Sequence, residues 1–90
     1  MYFAAYHFDG DADRLYASYE RMLTTQADQA ILNLCVVRED GITVYDTCPT
    51  REDFESFSTG DEFRSALKDA GLPAPRLEPL GEVRSAVGVR

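Results

Sequence analysis

One segment, residues 41–73, sets the terms for the rest of the chain. It reads GITVYDTCPTREDFESFSTGDEFRSALKDAGLP. Residues 42–48 are rich in strand-forming side chains and stop at Pro49, which predicts a short strand. Thr50, with Asp53 three residues on, has the form of a capping box and starts a helix. Phe54 and Phe57 give that helix an apolar side. Ser58-Thr59-Gly60 breaks it, and Thr59 with Glu62 signals a second start. Phe63, Ala66, Leu67 and Ala70 then continue the stripe at helical spacing. Gly71 predicts a left-handed stop, with Leu72 folding back and Pro73 barring continuation. A broken amphipathic helix needs a sheet to lie on, and the other residues must supply it.

They do so in order. Residues 2–8 are rich in aromatics and end at Asp9-Gly10-Asp11, so they predict a strand. Alternation puts Tyr2, Ala4, Tyr6 and Phe8 on one face and Phe3, Ala5 and His7 on the other. Asp11 or Asp13 can cap a helix running to about residue 25, with Leu15, Tyr19 and Met22 on its apolar side. Residues 30–38 form the most strand-like run of the chain. Asp40-Gly41 then predicts a tight hairpin into residues 42–48. With Asp40-Gly41 as the two-residue loop, Cys35 faces Asp46 and Asn33 faces Cys48; a three-residue loop shifts the partners by one. Residues 76–87 predict a last strand, bent or bulged at Gly81.

The order strand, helix, strand, hairpin, strand, helix, strand predicts an α+β fold. It is one ferredoxin-like βαββαβ domain over residues 1–90, with a four-stranded antiparallel sheet and two helices on one face. The other face is then expected to carry Phe3, Ala5, His7, Asn33, Cys35, Val37, Ile42, Val44, Asp46 and Cys48. So many apolar groups call for a cover, and a face-to-face homodimer supplies it.

Composition narrows the function. The formal charge of −7, with Lys and Arg scattered, argues against a nucleic-acid partner and against anionic lipid. The chain has 2 cysteines, too few for a disulfide framework or a zinc knuckle. The first residues carry no basic, apolar leader pattern, and no apolar run approaches the ~20 residues a membrane span needs. A cytoplasmic location with free thiols is the expectation.

The stretch VYDTCPTREDFESFSTGDEFRSALKDAG resembles the dimeric α/β-barrel superfamily, which includes the antibiotic-biosynthesis monooxygenase-like domains. Its members share a strand ending in an aromatic, an acidic helix start and a helix broken near S-x-x-F. The heme-degrading branch uses an Asn, a Trp and a His at positions that here hold His7, Cys48 and Leu67. The heme-ligating histidine and the aromatic that packs on the macrocycle are both absent, so the resemblance implies a cofactor-free protein. It further implies a homodimer and an oxygenase- or isomerase-like enzyme acting on a small aromatic or polyketide-like substrate. The family's recurring acidic position on the third strand matches Asp46.

His7 is the only histidine. It is either a general base in a water-poor cavity or a ring that bonds a neighbour in the barrel wall. Asp46 is expected to orient His7, to pair with Arg84, or to sit in a structural ion pair across a dimer seam. Asn33 and Arg84 are candidates for stabilising an oxyanion, and Cys35, Cys48 and Leu67 for lining the substrate site. Both cysteines also fit as small buried hydrophobes. No ligand spacing supports a metal site. The other possibility is a non-catalytic dimeric domain that binds a small ligand or only assembles.

Overall fold

The computed structural model describes residues 1–26 and 32–88. Its elements are β1 (Tyr2–Asp9), α1 (Ala12–Gln26), β2 (Asn33–Arg38), β3 (Gly41–Cys48), α2 (Arg51–Thr59), α3 (Asp61–Ala70) and β4 (Arg76–Glu82). The fold is α+β: a four-stranded antiparallel sheet in the order β2-β3-β1-β4. This order is compatible with a ferredoxin-like arrangement. Of the strand expected over residues 30–38, residues 30 and 31 lie outside the described residues.

Three helices, rather than two, are present among the described residues, because Gly60 takes an extended ψ of 158° and separates α2 from α3. Thr50 caps α2, its side chain accepting from the Asp53 amide at 3.1 Å. The second capping signal is not used. Gly60 occupies that cap without a side-chain bond, and the Thr59 hydroxyl donates back to the Glu55 carbonyl at 2.8 Å. Gly71 ends α3 in the left-handed region at φ 85°, and the Leu72 amide reaches back to the Leu67 carbonyl at 2.8 Å. These bonds satisfy carbonyls that the helix end would leave unpaired.

The hairpin turns one residue earlier than expected. Arg38 pairs with Gly41, so Glu39-Asp40 is the loop and Asn33 faces Asp46 rather than Cys48. Gly41 has no positive φ. Its glycine is needed because a Cβ there would run into the Phe8 carbonyl oxygen on β1. Cys35 therefore faces Val44, leaving Cys35 and Cys48 about 13 Å apart along the ladder, and both are free.

The β1–β3 register decides what each face carries. Tyr6 pairs with Val44, Phe8 with Ile42 and Ala4 with Asp46. Cross-strand partners share a face, so the even residues of β1 and β3 lie together, with Asn33 and Cys35 of β2 beside them. The helices cover this face: Tyr2, Tyr6, Phe8, Ile42 and Val44 join Leu15, Tyr19, Phe54, Phe63 and Leu67 in one core. The expected uncovered face is corrected accordingly. Asn33, Cys35, Val37, Ile42, Val44, Asp46 and Cys48 belong to the helix side. The open face carries Phe3, Ala5, His7, Leu34, Val36, Thr43, Tyr45 and Thr47.

The last strand is shorter than expected and ends at Glu82. Its register with β1 shifts between Phe3 and Ala4, so Leu80 is the extra residue before Gly81, which has φ 144°.

Candidate functional site

Between the sheet and the helices lies a cavity of about 220 Å³. β1 contributes Tyr6 and Phe8, β3 contributes Val44, Asp46 and Cys48, and β2 contributes Asn33. Tyr19, Met22 and Leu23 come from α1. Phe57 and Phe63 close it from α2 and α3, their rings 4.7 Å apart across the break at Gly60. The wall is mostly apolar, with Asp53 of α2 and a polar group of Tyr19, Asn33, Asp46 and Thr47 set into it, which is the usual composition of a small-molecule site.

That polar group is a chain of hydrogen bonds. The Tyr19 hydroxyl donates to Asn33 Oδ1, and Asn33 Nδ2 donates to Asp46 Oδ1 at 3.4 Å. The Thr47 amide also donates to Asp46 Oδ1, at 3.0 Å. Asp46 Oδ2 accepts no hydrogen bond among the described residues. Burial raises the Asp46 carboxyl above its ordinary 3.8, and the bonds from Asn33 and Thr47 pull against that rise without cancelling it. Burial also pushes the Tyr19 phenol up to about 12 and raises both thiols. The Asp46 carboxyl is thus a better base than a free carboxylate, and it sits beside a hydrophobic chamber.

The sheet separates the two expected catalytic residues. His7 lies on the open face and Asp46 on the helix side, so Asp46 does not orient His7. Both ring nitrogens of His7 are occupied. Nε2 is 2.8 Å from Glu78 Oε1, and Nδ1 is 2.9 Å from Thr43 Oγ1. The Glu78 carboxylate only accepts, so with a neutral ring Nε2 carries the proton and the Thr43 hydroxyl donates to Nδ1. Thr43 accepts in turn from Arg38 Nε at 3.0 Å. His7 is therefore one link in a satisfied surface chain of Arg38, Thr43, His7 and Glu78.

Of the residues expected to line a substrate site, Asn33 and Cys48 meet Asp46 at the cavity. Cys35 packs beside the core, and Leu67 is buried within it. Arg84 lies exposed beyond the end of β4; among the described residues it neither pairs with Asp46 nor lines the cavity. No group of three metal-binding side chains occurs among the described residues. No described helix is long and apolar enough to cross a membrane.

The spacing of Tyr6 and Tyr19 marks them only as core, and the structure adds them to the cavity wall. The signal for them lies in their chemistry: a tyrosine at a core position brings a hydroxyl that needs a partner. Compared with family models, with curated proteins and with solved structures, the chain finds no match in any of the three.

Proposed function

We propose that the helix-side cavity binds a small aromatic molecule and that Asp46 is the group that takes a proton from it. The observation that carries this reading is the placement of Asp46: a carboxyl on the wall of an apolar cavity, held by two donors through Oδ1 and with Oδ2 unengaged among the described residues. Such a group accepts a proton from a bound acid more readily than an exposed carboxylate does. The volume of about 220 Å³ limits the guest to one or two rings, since ~150 Å³ already takes up benzene. This is the chemistry of an isomerase, and also the first step of a cofactor-free oxygenation. The strand order and the one-sided helices support grouping the chain with the dimeric α/β-barrel proteins.

2-Naphthol tests the proposal, because its fluorescence distinguishes the neutral from the deprotonated form. The wild-type complex is expected to emit as the naphtholate, and Asp46→Asn to bind but emit as the neutral form. Binding without naphtholate emission from either protein would favour the non-catalytic ligand-binding alternative. No binding at all would refute both.

The open face supports a homodimer as the second part of the proposal. Leu34 and Val36 are 50% and 47% exposed there, next to the stacked Phe3 and Tyr45 rings at 5.8 Å. Sedimentation should give a dimer at micromolar concentration and a monomer for Val36→Asp; a wild-type monomer contradicts this part. Two free cysteines too far apart to pair support a reducing compartment, the cytoplasm.

A further inference from the structure

Tyr6 has a side chain that packing alone does not explain. It is 4% exposed, and its ring rests against Phe54 at 6.1 Å and Phe63 at 5.5 Å. Phenylalanine would fill the same space. Yet the chain buries a hydroxyl there that has no hydrogen-bond partner among the described residues. Buried hydroxyls are almost always paired, so an orphan of this kind points to a partner that arrives from outside. Tyr6 also lines the cavity that Asp46 lines.

The sheet sets the spacing between the two groups. Ala4 faces Asp46 and Tyr6 faces Val44, so Tyr6 and Asp46 are diagonal neighbours on one face. Diagonal neighbours have Cα atoms about 7–8 Å apart, a span that one aromatic guest bridges. Tyr6 and Asp46 thus border one cavity from neighbouring strands, with the Tyr6 hydroxyl buried and unpartnered among the described residues.

We infer that the Tyr6 hydroxyl donates a hydrogen bond to a carbonyl oxygen of the bound molecule, which makes the substrate class a small aromatic ketone with a hydrogen on the carbon beside the carbonyl. The inference rests on the proposed use of the cavity and deepens it. Asp46 Oδ2 takes the proton from that carbon. The C–H electron pair becomes a C=C bond, and the carbonyl π pair moves onto oxygen, where the Tyr6 O–H holds the enolate. Asp46 then returns the proton, to the same carbon or to a conjugated one, and the second route gives an isomer. The step needs no oxidant or reductant. Burial, with the Asp46 and Cys48 charges nearby, raises the Tyr6 phenol well above its ordinary value and keeps it a donor.

The test compares 2-acetylnaphthalene with 2-ethylnaphthalene, which has a similar shape and no oxygen. Calorimetry measures the binding of each to the wild type and to Tyr6→Phe. The wild type should prefer the ketone by about tenfold, a fold-change typical of one hydrogen bond, and Tyr6→Phe should lose that preference. The carbonyl stretch of the bound ketone should lie lower in the wild type than in the variant. Tyr6→Phe removes an orphaned polar atom, so its melting temperature should be no lower than the wild type's, which keeps the comparison free of unfolding. Equal affinity for both compounds, or a preference that survives in Tyr6→Phe, overturns the role of Tyr6 and leaves the cavity proposal standing. Failure of both compounds and of 2-naphthol to bind overturns the two together.

Discussion

Asn33 and Asp46 face each other across the β2–β3 ladder, and the Asn33 amide bridges the Tyr19 hydroxyl to the Asp46 carboxylate. This one side chain joins α1 to two strands, and it fixes the end of the cavity where the chemistry is proposed. Asn33→Leu removes both bonds and leaves a hydroxyl and a carboxylate short of a partner. The expected cost is about 1–3 kcal/mol in urea unfolding. Adding Tyr19→Phe to Asn33→Leu should recover part of the loss, because one orphaned group disappears. A double variant whose losses simply add would mean that the bridge carries no coupling.

The Asp46 carboxyl gives a pH dependence of known sign. Its folded value lies above the ordinary 3.8, so the native state holds the proton more tightly than the unfolded chain does. Below the ordinary value both states are protonated, and the stabilisation from this group is fully present. It is lost as pH rises through the folded value, then stays level. Asp9 acts in the opposite sense: Arg76, bonded at 2.9 and 3.0 Å, lowers its value, and its contribution is lost as pH falls. Subtracting the Asp46→Asn curve from the wild-type curve isolates Asp46. Wild-type stability relative to the variant should fall as pH rises from below the ordinary carboxyl value through the raised folded value; a flat difference contradicts the burial of the carboxyl.

His7 has a structural part to play on the far face. His7→Ala breaks the link between Thr43 and Glu78 and should lower stability by about 1 kcal/mol. Affinity for 2-naphthol should not change. A loss of binding with the fold intact would place the site on the open face.

Gly41→Ala probes the approach of β3 to β1. The new methyl group would meet the Phe8 carbonyl oxygen, with Asp9 Cα 3.1 Å away, and backbone cannot yield as a flexible side chain can. Urea unfolding should show a loss of about 1–3 kcal/mol. An unchanged midpoint would show that the strands are further apart at this point.

Much of this architecture was legible in the sequence, for identifiable reasons. Gly71, Leu72 and Pro73 specify a helix end through local chemistry alone, and so does Thr50 at a helix start. The faces of β2 and β3 are the reverse of the expected ones, although Ile42 and Val44 are plainly more apolar than Thr43 and Thr47. Both faces of β1 looked apolar, so alternation in β1 gave no preference, and only the long-range pairing of Tyr6 with Val44 decides the match. Gly41 reads as a turn residue because glycine tolerates positive φ; its reason lies across the sheet, in the Phe8 carbonyl. His7 drew attention as the sole histidine, while its parity on β1 set it apart from Asp46. The tyrosines of the cavity were visible as core, but the missing partner of Tyr6 is visible only in three dimensions.

The cavity under the helices is the proposed binding site, and intermolecular nuclear Overhauser effects from bound 2-naphthol locate the guest directly. Cross-peaks are expected to the methyl groups of Leu23, Val44 and Leu72, which line that cavity. Cross-peaks instead to Leu34 and Val36, on the open face, would contradict it.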